Sequence, residues 1–217
     1  MRLIDLSHVV EDRMVTYPGL PGPELGSHLS FAESEGVYAP GTEFQIGRIS
    51  MVTNTGTYLD TPAHRYRDGW DLSGLPLELC AALAILVVDA PSSGVFDAGS
   101  FAGLDISGRA VILRSGWDAS WGTPAYGDPV HPHLDPAGTA ALVEGGAALV
   151  GIDSVNIDDT TTGERPAHSG LLAAGIPVVE HLTRLDQVAD GDLFFAVPVA
   201  VRGLATFPVR AFAMSTR

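Results

Sequence analysis

The chain has 217 residues, 26 acidic against 12 basic side chains, a formal net charge of −14 and 46% hydrophobic composition. That is enough length and apolar content for a folded domain with a real core, and it excludes a disordered chain. All 12 basic residues are arginine. Lysine Schiff-base chemistry and the P-loop lysine are therefore excluded, and little positive charge is left to build a face for nucleic acid or an anionic membrane.

The longest apolar run, Leu79 to Val88, has ten residues, about half of a membrane span. The opening MRLIDLSHVV carries a carboxylate at Asp5 and does not read as a signal peptide. The single cysteine, Cys80, has no partner for an internal disulfide and lies in an apolar run, so it reads as a small core residue in a cytoplasmic protein.

Taken in chain order, Leu3–Leu6 predicts a strand. Residues 17–41, rich in Gly and Pro (YPGLPGPELG), read as a long loop or arm, and Leu20, Leu25 and Leu29 suggest that it packs on a partner subunit. Phe44–Val52 alternates and then changes parity near Gly47, which predicts a strand with a bulge. Leu79–Val88 and Arg109–Leu113 read as buried strands. His133–Gly146 predicts a helix, capped by Asp135, opened by Pro136 and stopped at Gly145–Gly146. A strand at Ala147–Ile152, a short helix at Ser169–Ala174, and strands at Ile176–Val179, Leu193–Val199 and Val209–Met214 complete one α+β domain over residues 1–217.

The G-x-S-x-G, H-E-x-x-H and strand-to-helix glycine fingerprints are absent. The informative segment is Asn54-Thr55-Gly56-Thr57-Tyr58-Leu59-Asp60-Thr61-Pro62-Ala63-His64. A strand-to-loop junction of this kind can direct Asn54, Tyr58, Asp60 and His64 into one cleft; an ordinary turn with a surface histidine is the bland alternative. His131 and His133, flanking a helix start, read as solvent-facing, His8 and His28 as possible residues of the cleft entrance, and Arg114 as a structural charge at a strand end.

This segment resembles the H-x-G-T-H-x-D-x-P-x-H signature of the cyclase-like family that includes bacterial kynurenine formamidase and isatin hydrolase. The likeness continues in order: Ile4-Asp5-Leu6-Ser7-His8 with Tyr17-Pro18-Gly19, then Arg114-Ser115-Gly116-Trp117, Gly151-Ile152-Asp153, His168-Ser169-Gly170-Leu171-Leu172, Gly175-Ile176 with Glu180, and Pro208-Val209-Arg210. The resemblance implies a single domain with a mixed, barrel-like sheet core and a few short helices. It also implies metal ligands at Asp60, His168 and Glu180 and a proton-transferring histidine at His64. Two family ligand histidines fall on Asn54 and Tyr58, so a mononuclear site is expected rather than a binuclear one.

The resulting expectation is a hydrolase opening an amide or lactone in a small cyclic or aromatic substrate. One divalent ion, zinc or manganese, would be held by Asp60, His168 and Glu180. His64 would act as general acid and base, and Tyr58 as hydrogen-bond donor to a substrate oxygen. Asn54 and Trp117 would contact substrate, with Trp70, Trp121 or Tyr17 adding to the cleft. A metal-independent cyclase, dehydratase or isomerase and a non-catalytic ligand-binding homologue are the alternatives. The expected partners are a small molecule and further copies of the chain, as a dimer or tetramer.

Overall fold

The computed structural model describes residues 1–215. Strands β1 (Arg2–Asp5), β4 (Tyr58–Asp60), β5 (Ala81–Asp89), β7 (Ala110–Arg114), β9 (Leu149–Ile152), β10 (Val178–Glu180), β11 (Leu193–Phe195), β12 (Thr206–Pro208) and β13 (Phe212–Ser215) form one mixed sheet. Its order is β1-β13-β11-β5-β7-β9-β10-β4-β12. The central β5, β7, β9 and β10 are parallel, and both flanks are antiparallel. Strands β6 (Val95–Phe96) and β8 (His133–Leu134) pair separately, and β2 (Glu24–Leu29) with β3 (Ile46–Ser50) makes an antiparallel ribbon.

The sheet curls because its two ends share one segment. β12 is an edge strand and β13 lies beside the opposite edge, yet only Val209, Arg210 and Ala211 separate them. Val209 N–H donates to the Thr57 carbonyl and Leu6 N–H to the Ala211 carbonyl, both at 2.9 Å. The barrel-like α+β domain expected from the resemblance is the architecture observed.

Alternation along the buried strands supplies a core on each face. Ala110 and Ile112 of β7 point inward with Ile85, Leu149 and Phe194. Val111 and Leu113 point outward, with Val150 and Ile152, toward the helices α2 (Pro136–Glu144) and α3 (Pro166–Ala173). Each fully buried Leu or Ile in these layers contributes about 1.5–3 kcal/mol. The two helices cross closely at Gly170, where an added Cβ would stand 2.5 Å from Thr139 Cγ2. Cys80 is fully buried in the inner core, and burial pushes its thiol up to about 11.

Several local expectations are corrected. Residues 17–41 are not a structureless loop, because β2 and the one-turn helix α1 (Phe31–Ser34), closed by a Ser30–Glu33 capping box, fall within them. The bulge predicted at Gly47 lies across the ladder, in β2, where the register shifts between Ser27 and Leu29 opposite Gly47 and Ile46. Residues 77–79 form a 3-10 turn before β5 begins. The strand expected at Val209–Met214 begins only at Phe212, because Val209–Ala211 carry the chain from β12 at one end of the sheet to β13 near the other.

Candidate active site

Register places three of the expected residues on one face. β4 and β10 are antiparallel, with Tyr58 opposite Glu180 and Asp60 opposite Val178. Side chains alternate along a strand and cross-strand partners share a face, so Tyr58, Asp60 and Glu180 point the same way. All three are buried. Gly56, two residues upstream, adopts φ +65° and donates its N–H to Thr16 Oγ1 at 2.8 Å, a left-handed turn that suits glycine. Downstream, Pro62 opens a 3-10 turn that ends on His64, which stays exposed.

His168 arrives from the first turn of α3. Asp158, just upstream, accepts from the N–H of Ala167 at 2.6 Å and of His168 at 3.1 Å, and its Oδ2 lies 2.5 Å from His168 Nδ1. Asp158 thus caps the helix and fixes the imidazole, leaving Nε2 directed at Asp60 Oδ2, 3.4 Å away, and Glu180 Oε1, 3.7 Å away. Burial works against a charged imidazole, but the Asp158 hydrogen bond and the Asp60 and Glu180 carboxylates outweigh it and hold the His168 pKa well above its ordinary value.

The carboxylates differ in how they are satisfied. Glu180 Oε1 accepts from Ile157 N–H at 2.7 Å and Oε2 from the Tyr58 hydroxyl at 2.5 Å. Burial raises the Glu180 pKa, with the neighbouring Asp60 charge adding to it, and burial beside these carboxylates drives the Tyr58 phenol upward as well. Both oxygens of Asp60 are buried without a hydrogen-bond donor among the described residues. The 3.4 Å approach of His168 Nε2 is an ion-pair distance too long for a good hydrogen bond. An unpaired buried carboxylate is costly, and a cation satisfies it.

Asp60, His64 and His168 each offer a ligand atom, and these atoms lie within 4.8 Å of one another. The grouping brings in His64, which was expected only as a proton carrier; Glu180 joins the cluster through His168. Two carboxylates and imidazole nitrogen form a donor set that zinc or manganese accepts, so the residues present fit a metal ion.

A cavity of about 350 Å³ opens over this cluster, lined by Asn54, Tyr58, His64, His168 and Glu180 together with Tyr17 and Leu20 from the arm. Asn54 Oδ1 accepts from the Thr206 hydroxyl at 3.0 Å. The expected tryptophans are elsewhere. Trp117 does not line the cavity; its indole N–H donates to the Tyr126 carbonyl at 2.9 Å. Trp70 is also outside the lining, and Trp121 lines a different cavity, beside Tyr126, with its ring stacked on His8. Tyr58 differs too, since its hydroxyl proton is given to Glu180 rather than held free for substrate. His131, expected in solvent, is buried and bonded to Ser154 and Thr160. Arg114 does pair with a carboxylate at a strand end, Asp89, at 2.6 Å.

Sequence reasoning missed Asp158, Asn156, Arg65 and Arg165, although Arg65 adjoins His64 and Arg165 precedes His168 by one helical turn. It also missed His181, whose ring centroid lies 5.2 Å from that of Tyr58 and whose Nδ1 shares a 2.8 Å hydrogen bond with the Tyr126 hydroxyl.

Known proteins share this sequence pattern and this fold. Residues 4–159 match the Cyclase family. A kynurenine formamidase of Bacillus cereus is 30% identical over 212 residues, covering 96% of this chain and 95% of the relative. One from Salinibacter ruber is 30% identical over 215 residues, covering 97% and 96%. An isatin hydrolase A from Labrenzia aggregata, solved with benzyl benzoate, superposes with a TM-score of 0.84 at 22% identity, covering 100% of this chain and 94% of that one. The matched span and the relatives' near-complete coverage establish that the chain belongs to the Cyclase family.

Proposed function

We propose that this protein is a hydrolase cleaving an amide bond, most simply a formamide, in a small aromatic substrate, and that it uses one divalent ion, zinc or manganese. The observation that carries the reading is the buried, donorless Asp60 beside the fixed Nε2 of His168. Asp60, His168 and Glu180 would hold the ion, with His64 within reach on the exposed side. When bound, such an ion polarises a carbonyl and acidifies water.

The remaining roles fall to the chain itself. His64, exposed and free to turn, takes the proton of the attacking water and returns it to the departing amine nitrogen. The Tyr58 hydroxyl holds Glu180 in place. Thr206 occupies the Asn54 oxygen and the Asn54 amide also reaches the Tyr58 hydroxyl oxygen, which leaves one amide N–H for a substrate oxygen. Tyr17 and Leu20 give an aromatic ring its apolar wall. The curated relatives are named as kynurenine formamidases, which supports an aryl formamide as the substrate class.

The test is His64→Ala, assayed on an aryl formamide with metal content measured in parallel. Turnover should fall by about 10²- to 10⁴-fold with the metal retained. Near-normal turnover would refute the role, and metal loss would make His64 a ligand.

A further inference from the structure

A second cavity, of about 570 Å³, shares a wall with the catalytic one. Thr16 and Pro18 line the second cavity, whereas Tyr17 between them lines the first, so one short segment faces both. That segment is held at each end. Thr16 Oγ1 accepts the Gly56 N–H at 2.8 Å, two residues before Tyr58. Pro18 packs so closely on Gly127 that a Cβ there would stand 2.5 Å from Pro18 Cγ.

The lining of this second cavity combines aromatic rings with a single charge. Trp121 and Tyr126 meet edge to face at 4.9 Å, and the Trp121 indole is braced by the His8 ring, stacked on it at 3.8 Å. Val9, Met14 and Val15 supply apolar surface, and Glu11 is the one charged residue of the lining. The Glu11–Met14 turn is closed twice, by Met14 N–H on the Glu11 carbonyl at 3.2 Å and by Glu11 N–H on Met14 Sδ at 3.1 Å. The Glu11 carboxylate has no hydrogen-bond or ion-pair partner among the described residues, and nearby Arg13 turns to Asp12 instead, at 3.6 Å. Burial lowers the His8 pKa to about 4, so the ring stacked on Trp121 is neutral at pH 7 and does not repel a cation. An unpaired carboxylate beside an indole and a thioether suits an organic ammonium, whose charge the carboxylate and ring attract and whose carbon frame the apolar wall covers.

We propose that this cavity is a second ligand site, taking an aromatic compound that carries an ammonium group, and that its occupancy narrows the catalytic cavity through Tyr17. A ligand seated against Thr16 and Pro18 meets a densely packed wall with no slack, so the displacement passes to Tyr17 on the other side. The site stands on its own geometry; only its effect on turnover rests on the hydrolase reading.

Phenethylammonium and its uncharged counterpart 2-phenylethanol are the probes, with binding to the full chain followed by ligand-observed NMR. The ammonium should bind at least about 5-fold more tightly, and Glu11→Gln should remove most of that preference. Trp121→Leu should weaken both probes, but Trp121 also stacks on His8, so Glu11→Gln decides the matter if that variant does not fold. In the second arm, phenethylammonium should raise KM for formanilide by about 5-fold and then level off, and Glu11→Gln should abolish the effect. Equal binding of the two probes, or ammonium affinity indifferent to Glu11, overturns the site. A KM that climbs without limit marks direct competition in the catalytic cavity, and a KM that does not move shows that the shared wall transmits nothing; either overturns the coupling. Ammonium binding that depends on Glu11 in a protein that hydrolyses no formanilide upholds the site and overturns the hydrolase reading.

Discussion

Asp158 and His168 act as one unit: the carboxylate that caps α3 also holds His168 Nδ1 at 2.5 Å, so the helix start and the ring orientation are fixed by the same two oxygens. A carboxylate behind a ligating imidazole sets its tautomer and raises its basicity. Asp158→Asn keeps an acceptor for the helix but removes the charge, so metal affinity should drop by about 10- to 100-fold with little change in fold. Competition against a chromophoric chelator measures this, and unchanged affinity would show that His168 is not a ligand.

A second prediction concerns the two positions where the family signature carries histidine. Tyr58 faces Glu180 across the ladder and Asn54 lines the same cavity, so both side chains point at Asp60's surroundings. Asn54→His with Tyr58→His should raise bound metal by up to one equivalent per chain, because imidazole is a far better ligand than a neutral phenol or amide. Native activity should fall as Glu180 loses its hydroxyl partner. Elemental analysis of the folded double variant decides it; unchanged metal content would mean that these positions do not rebuild a site.

The buried His181 predicts a pH effect on stability. Burial lowers its pKa to about 3 from 6.5, with the neighbouring His8 and His131 adding to the shift. Between those values the unfolded chain binds a proton that the folded chain refuses, so stability is full above about pH 6.5 and is lost as pH falls toward 3. His8, lowered to about 4 mainly by burial, acts in the same direction, whereas Asp153, raised by burial to about 6, opposes them between about pH 4 and 6. His181→Asn keeps an atom for Tyr126 and suits the residue's φ of +59°. It should flatten the acid limb by up to about 1.4 kcal/mol per pH unit in urea unfolding. An unaltered slope would mean that His181 titrates normally.

The β2–β3 ribbon carries the expectation of self-association. Leu25 and Ile49 are register partners on one side of it and are 47% and 48% exposed. A two-stranded ribbon is marginal by itself and needs cover. Sedimentation at micromolar concentration should show a dimer or tetramer of the 22.7 kDa chain, and Leu25→Glu with Ile49→Glu should dissociate it. A native protein that sediments only as monomer would contradict the proposal.

Legibility of these features in the sequence followed how local their causes are. Helix α2 was readable because Asp135, Pro136 and Gly145 act within their own turn, and Asp135 does accept the Gly138 N–H at 2.7 Å. β2 was not, because Glu24–Leu29 lacks a buried side and is held as a strand by β3 alone. In the site, Asp60 and His64 sit on one short segment, and resemblance located His168 and Glu180. Asp158 was hidden because Asp159 beside it looks equivalent, and only the path of the chain into α3 separates a helix-capping carboxylate from an exposed one. Trp117 was misread because an aromatic side chain in a glycine-rich turn gives no sign of where its indole points.

The shared segment at the two ends of the sheet also bears on how the chain reaches its fold. Thr206–Pro208 pairs with β4 and Phe212–Ser215 with both β1 and β11. During synthesis these are the last described strands to emerge, so β1, made first, waits for a partner more than two hundred residues downstream. Until then the exposed edge of β4, which bears Tyr58 and Asp60, has no neighbour on its outer side. Contacts this distant in sequence slow folding and expose unpaired edges to other chains. Assembly of the candidate site therefore waits for Thr206–Ser215, and a nascent chain that stops short of them leaves β1 and the outer edge of β4 unpaired.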